Sequence, residues 1–315
     1  PITLLSEDIG SGCSLTAEHA RRALAENVDL VVAVVSSGAV ETLRNAFSST
    51  SAPLLVTNIG ASVLREDERG TNVFHHSLGH WESNWTMGRW AAEHLGGTAL
   101  VASSFYDSGY DALYAFQLGF ESAGGRILDT RVTHVRSSRE DFDNVMQTIA
   151  SSRPDCVFAS YCGAEAVGFV RSYAASRLSE RIPLIGSAFL TDEVYLDAQG
   201  PAALGIRTCS GWAPELDTAL SRRFAATYQA QTGRRPDAFA LLGYETGSLI
   251  RYAVDAVGGD ARRHEALTET LGTAEWTGPR GRVRMDHFTH VSGGPIFLRE
   301  VRAHNGQLEN TVLAE

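Results

Sequence analysis

Residues 28–38, Val28-Asp29-Leu30-Val31-Val32-Ala33-Val34-Val35-Ser36-Ser37-Gly38, set the pattern for the whole chain. An apolar, β-branched run of strand length breaks into small polar residues, and a helix-period segment, 39–47, follows. Such a run, lacking polar alternation, reads as a strand buried on both faces, as in a parallel sheet covered by helices. The unit repeats along the chain. Strands are predicted at 2–6, 30–35, 54–57, 99–103, 126–132, 156–160, 183–185 and 205–212. They alternate with helices predicted at 16–26, 82–95, 111–123, 141–151, 164–176, 218–232 and 239–257. This is the βαβ rhythm of an α/β fold with Rossmann-like parallel sheets. Gly-Gly pairs at 96–97, 124–125 and 258–259 fall where helices should stop, in the left-handed caps that glycine favours. The tail adds strands at 282–285 and 295–302 around a turn-rich segment.

Composition narrows the function classes. A length of 315 residues suits two α/β lobes, and without a long linker the lobes must be joined by chain crossovers. A formal charge of −10 argues against nucleic acid, and no apolar stretch approaches the roughly 18 residues of a membrane span. All 27 basic residues are arginines, which removes phosphate loops and Schiff-base chemistry that need a lysine. Cys13, Cys156, Cys162 and Cys209 form no zinc-like pattern, and Cys156 and Cys162 stand too far apart along one strand to bridge. His75, His76 and His80 cluster without the helical His-Glu spacing of a metal site, so neither metal nor cofactor is expected. No nucleophile elbow is present, and Gly10-Ser11-Gly12 lacks the third glycine of a dinucleotide fingerprint. Glu7 and Asp8, adjacent on a strand, would point to opposite faces. An enzyme is not expected.

Candidate binding residues gather at strand ends. Segments 35–38, 56–60 and 160–163 each run from an apolar strand through small polar residues into a helix. Carboxyl ends of parallel strands are where open α/β sheets bind ligands, and helix N-termini there suit a carboxylate or carbonyl oxygen. The same residues also favour plain N-capping. Segment 104–110 adds Tyr106 and Tyr110, and Trp81 and Trp85, spaced i, i+4, share one helix face that serves either packing or a pocket wall.

Further stretches keep the order of a known family: 52–55, Tyr106-Asp107-Ser108-Gly109-Tyr110, 120–125, 153–158, 235–239 and 278–281. With the 28–38 unit, they resemble type I periplasmic solute-binding proteins of ABC transporters, in the branched-chain amino acid (Leu/Ile/Val) and amide-binding branch. The resemblance runs over essentially the whole chain. It implies a clamshell with three crossovers, lobe one being 1–77 plus 213–286 and lobe two 78–212 plus 287–315. It implies ligand contacts from Ser36, Ser37, Asn58, Gly60, Ser62 and Phe239 on lobe one. From lobe two it implies Tyr106, Tyr110, Tyr161, Cys162, Ala188 and Phe189.

Two departures stand out. Amino-acid binders of this branch place an acid against the ligand's ammonium, and that position falls on Ala188. Either Asp107 or Glu165 substitutes, or the ligand lacks an α-amino group; the second is expected, since an unpartnered buried ammonium is costly. The family's first strand and helix would precede Pro1, and this first βα unit is expected on the native polypeptide. The implied function is an extracytoplasmic receptor handing a small polar organic ligand to the membrane permease of an ABC transporter. A cytoplasmic amide or amino-acid sensor of the same fold competes with it, and a signal peptide upstream would separate the two. A serine hydrolase built on Ser36 or Ser37 would need a histidine oriented by a carboxylate.

Overall fold

The computed structural model describes residues 2–8, 16–62, 71–105, 110–134 and 137–315. The chain opens with α1 (Thr16–Ala25), β1 (Val31–Val34), α2 (Ser37–Phe47), β2 (Leu54–Asn58) and β3 (Val73–Ser77). Next come α3 (His80–His94), β4 (Thr98–Ser104), α4 (Tyr110–Ser122), β5 (Arg126–Thr133) and α5 (Arg139–Ser152). β6 (Cys156–Ser160), α6 (Gly163–Ala175), β7 (Leu184–Gly186), a 3-10 turn (Ala188–Thr191), α7 (Leu196–Gln199) and β8 (Arg207–Ser210) follow. α8 (Ala219–Thr232), α9 (Ala238–Ala256) and α10 (His264–Gly272) lead into β9 (Glu275–Gly278) and β10 (Gly281–Met285). β11 (Ser292–Gly293), β12 (Phe297–His304) and β13 (Gln307–Ala314) end it.

β1, β2 and β3 form a parallel sheet, with Val31 opposite Leu54 and Leu54 opposite Val73. On one face Ala33, Leu43, Phe47 and Val56 make a core with α1 and α2; on the other Leu55 and Phe74 meet Leu249 of α9 and Leu267 of α10. A second sheet runs β13-β12-β8-β7-β6-β4-β5, parallel from β5 to β8, with β12 and β13 antiparallel at one edge. Its faces carry two cores, one around Phe142, Tyr161 and Phe169, the other around Met87, Phe116 and Phe158. A ribbon of β9, β10 and β11 is tied to the first sheet by the His75–Val291 bridge. The chain therefore passes between the sheets after β3, after β8 and after β11. In each parallel sheet the strands' carboxyl ends open onto helix N-termini, which is the geometry that makes strand ends the place to look for a site.

The strand expected at 2–6 does not form. Residues 2–8 are irregular and exposed, Leu4 by 85%. A short apolar run with no neighbouring strand leaves its backbone groups to water. β1 is hydrogen-bonded directly to β2 with no strand between them. No disulfide joins the described cysteines, and no helix among the described residues is long and apolar enough to cross a membrane.

Candidate functional site

Two sets of strand ends converge beside the start of α3. At the end of β1, Ser36 is the exposed N-cap of α2, with extended backbone (φ −67°, ψ 157°), and its carbonyl receives Ala39 N at 3.0 Å. Ser37 opens that helix. At the end of β2, Asn58 Nδ2 donates to Val35 O at 3.4 Å, so one side chain ties the two strand-end loops together. Its Oδ1 accepts Gly60 N at 2.9 Å, closing a tight turn in which Gly60 takes φ +73°. A side chain at Gly60 would meet Ser77 Oγ at 2.5 Å, so only glycine fits. The turn is pinned to α3 by His80 N to Ile59 O (3.0 Å) and Trp81 N to Gly60 O (2.8 Å). Ser62 is half-buried after the turn. Thus Ser36, Asn58, Gly60 and Trp81 lie on one connected frame.

Facing residues come from β7 and α9. Ala188 and Phe189 start the 3-10 turn after β7. The Phe189 ring stacks on Phe239 (centroids 5.8 Å, interplanar angle 16°) and leans on His80 at 5.1 Å. Phe239, in the first turn of α9, remains 53% exposed. Its helix starts cleanly because Asp237 accepts Ala240 N at 2.7 Å, an Asp N-cap.

A narrow recess lies beside this pair, lined by His80, Ser83, Ala188, Phe189, Asp192 and Ser210 among others. Arg299 of β12 builds its floor. The guanidinium, 3% exposed, donates to Ala188 O and Trp212 O (3.1 Å each), to Thr208 Oγ1 and to Glu193 Oε1. Asn310 Nδ2 donates to the same Glu193 Oε1 at 2.8 Å. The Ala188 carbonyl is therefore held by an arginine, and the neighbouring acid Glu193 is already neutralised. Burial, reinforced by Glu193 and Asp237, raises the Asp192 carboxyl from its ordinary value. Burial, with Glu193 and Glu309 adding to it, pushes Glu215 up to about 7. No carboxylate occupies the position of Ala188.

Other expected contacts fall elsewhere. The Tyr161 ring is wholly buried, stacked on Phe169 at 4.5 Å and edge-on to Phe142 at 5.7 Å. Cys162, exposed, is the N-cap of α6, and Tyr110 begins α4; Tyr106 and Asp107 lie outside the described residues. Glu165 Oε1 accepts Ser137 N at 2.9 Å, so it is engaged by the loop that leads into α5.

The histidine cluster is dispersed. His76 Nδ1 meets Ser292 Oγ at 3.0 Å and its Nε2 approaches Glu245 at 3.4 Å. His75 lies under His290, whose carbonyl receives its N–H, and burial, with Arg44 and His290, lowers its pKa to about 4. Among the described residues no group of histidines, cysteines and acids could hold a metal. Arg299 and His80 carry the recess, and the sequence reading passed over both as binding residues. Arg299 had a signal, being a charge inside the apolar run Phe297-Leu298-Arg299-Glu300-Val301.

This arrangement of two helix-covered parallel sheets, with strand ends and an aromatic pair around a recess, defines a ligand-binding protein of the periplasmic type. The chain belongs to the periplasmic binding protein family, whose model matches residues 1–307. The Leu/Ile/Val-binding protein homolog 6 of Brucella melitensis is 29% identical over 263 residues, 82% of this chain and 66% of its own length. The chain thus spans just under two thirds of that relative. The solute-binding protein of an ABC transporter from R. palustris, solved in complex with benzoate, is 27% identical. It superposes with a TM-score of 0.83, covering 98% of this chain and 85% of its own. An ABC transporter substrate-binding protein from Sphaerobacter thermophilus is 27% identical with a TM-score of 0.93, covering 99% and 86%. The family is one of binding proteins rather than enzymes.

Proposed function

We propose that this chain is the capturing part of an extracytoplasmic receptor that closes two lobes on an aromatic carboxylate and delivers it to the permease of an ABC importer. The observation that carries the ligand class is the Phe189–Phe239 stack beside an Ala188 whose carbonyl is bound by Arg299. The residue at the position where amino-acid binders carry an acid is Ala188, and the stacked Phe189 and Phe239 beside it offer an aromatic wall on which a ligand ring packs. The relative solved with benzoate supports the same class. The carboxylate belongs at the Ser36–Ser37 start of α2, where the backbone N–H groups of a helix's first turn and the helix dipole favour negative charge.

The lobes follow the sheets: 1–77 with 213–286, and 78–212 with 287–315. Pairing of Ser292 with Met285 supports moving the last crossing to about 294. Each lobe alone contributes part of the contact set, and closure excludes water and completes it. Isothermal titration calorimetry of the purified chain with benzoate and with leucine tests the reading. Micromolar or tighter benzoate binding with leucine at least ten-fold weaker supports it; tight leucine binding with no heat from benzoate overturns it.

A further inference from the structure

The three passages between the sheets meet at one side chain. Arg280, in the tight turn between β9 and β10, is buried, and its Nε lies 2.9 Å from Oε2 of the equally buried Glu245 on α9. The guanidinium donates from Nη2 to Ser77 O at 3.0 Å, where the chain first leaves β3. The second passage, after β8, runs so close that a Cβ on Gly211 would fall 3.2 Å from Arg280 Nη1 and 2.5 Å from Leu78 O. The third, after β11, brings Gly294 to where a Cβ would lie 3.5 Å from Arg280 Cζ and Nε. His76 stands behind the pair, its Nε2 3.4 Å from Glu245 Oε2 and its Nδ1 3.0 Å from Ser292 Oγ. That same hydroxyl receives Ser77 N at 3.3 Å.

A buried ion pair contributes little net stability, since well-packed apolar side chains of similar volume often serve as well. What an arginine adds is a rigid, planar and directional set of donors, held in orientation by its counter-charge. By the division proposed above, Arg280, Glu245, His76 and Ser77 all belong to the first lobe. Gly211 and Gly294 stand where the chain leaves and re-enters the second. One fixed post thus touches both of those passages, and it meets each at a residue without a side chain. Phe189 and Phe239, from opposite lobes, stack on each other, and the recess beside them holds about 20 Å³, room for one oxygen-sized group. A ring-sized ligand enters between the lobes only when they part.

Resting on the receptor reading above, we propose that Arg280 is the positioning residue of lobe closure. It lies outside the proposed ligand contacts, and its contacts with Ser77, Gly211 and Gly294 set the balance between parted and closed lobes. Parting draws the two glycines off the guanidinium, and closing returns them to it. A ligand that binds only the closed arrangement then binds with an affinity scaled by how much of the chain is already closed. Removing the post weakens binding without altering any residue of the ligand site, and adding to its contacts tightens binding.

Two variants push the balance in opposite directions. Arg280→Met/Glu245→Met removes the post together with its counter-charge at similar volume. Gly294→Ala adds one methyl at ordinary contact distance, 3.5 Å, from the guanidinium. The readouts are the calorimetric benzoate Kd and the ligand-free radius of gyration from small-angle X-ray scattering. In the double variant Kd is expected to rise about five-fold or more, and the radius to grow. In Gly294→Ala Kd is expected to fall about three-fold, and the radius to shrink. The same alanine placed in the double variant should change neither, because the methyl acts through the guanidinium. A purely structural pair would move the melting temperature and leave Kd and radius alone, and that result overturns the proposal. So does an alanine effect that survives in the double variant. If the double variant does not fold, Gly294→Ala decides alone, an unchanged Kd and radius counting against Arg280. If no chain binds benzoate, the ligand class fails while the ligand-free radii still decide the role of Arg280.

Discussion

Arg280 Nε lies 2.9 Å from Glu245 Oε2, with the two side chains 2% and 0% exposed, and the same guanidinium donates to Ser77 O at 3.0 Å. Gly211 and Gly294 press against it, a Cβ at Gly211 falling 3.2 Å from Nη1. Ser77, Gly211 and Gly294 lie on or beside the passages between the two sheets, so one ion pair is packed among all of them. Removing one member of a buried pair leaves an uncompensated charge, which typically costs about 3–5 kcal/mol. Glu245→Ala is therefore expected to lose stability of that order in urea unfolding, and the double variant Arg280→Met/Glu245→Met to recover much of it. Equal losses in both would show that shape, not charge, matters there.

Buried histidines give the protein an acid limit. The pKa values of His75 and His80 both fall to about 4, chiefly through burial, against 6.5 in the unfolded chain. Between those values the unfolded chain binds protons that the folded chain refuses, so stability is full above pH 6.5 and falls as pH drops toward 4. The loss approaches roughly 3 kcal/mol for each histidine. Urea midpoints at pH 7.5 and 4.5 measure it, and His80→Gln should remove its own share of the slope. A midpoint independent of pH would contradict the burial of neutral imidazoles.

In the proposed site, the turn at Gly60 would tie stability to binding. Alanine there must adopt φ +73°, a left-handed conformation costing a non-glycine residue about 1–2 kcal/mol, and must displace Ser77 Oγ. Gly60→Ala is expected to lower the melting temperature modestly and to weaken benzoate binding by more than ten-fold. Full affinity in a destabilised variant would remove this loop from the site.

Helices α3 and α4 touch through glycine. A Cβ at Gly119 would fall 2.0 Å from Trp85 O, and one at Gly88 would fall 2.2 Å from Phe116 O. Gly119→Ala must force the helices apart, an overpacking cost of about 1–3 kcal/mol or more, visible as a lower thermal midpoint.

Much of the architecture was legible because buried parallel strands are written as unbroken apolar runs; the strand read at 156–160 matches β6 residue for residue. β3 was harder to see, since Val73-Phe74-His75-His76-Ser77 puts two histidines in a buried strand, one paired with Glu245 from a helix far along the chain. That the serine and Asn58 segments sit at strand ends could be read from the sequence alone. Tyr161 could not be assigned, because at a strand terminus sequence does not say whether a ring turns to the cleft or to the core. Nor could His80, whose unpaired nitrogen exists only once Ala188, Phe189 and Ser210 fold around it.

The most direct test of closure on an aromatic carboxylate is small-angle X-ray scattering of the chain with and without saturating benzoate, leucine serving as control. A smaller radius of gyration with benzoate alone is the expected result, as two lobes rotate together on the ligand. An unchanged radius with benzoate, or contraction with leucine instead, would contradict it.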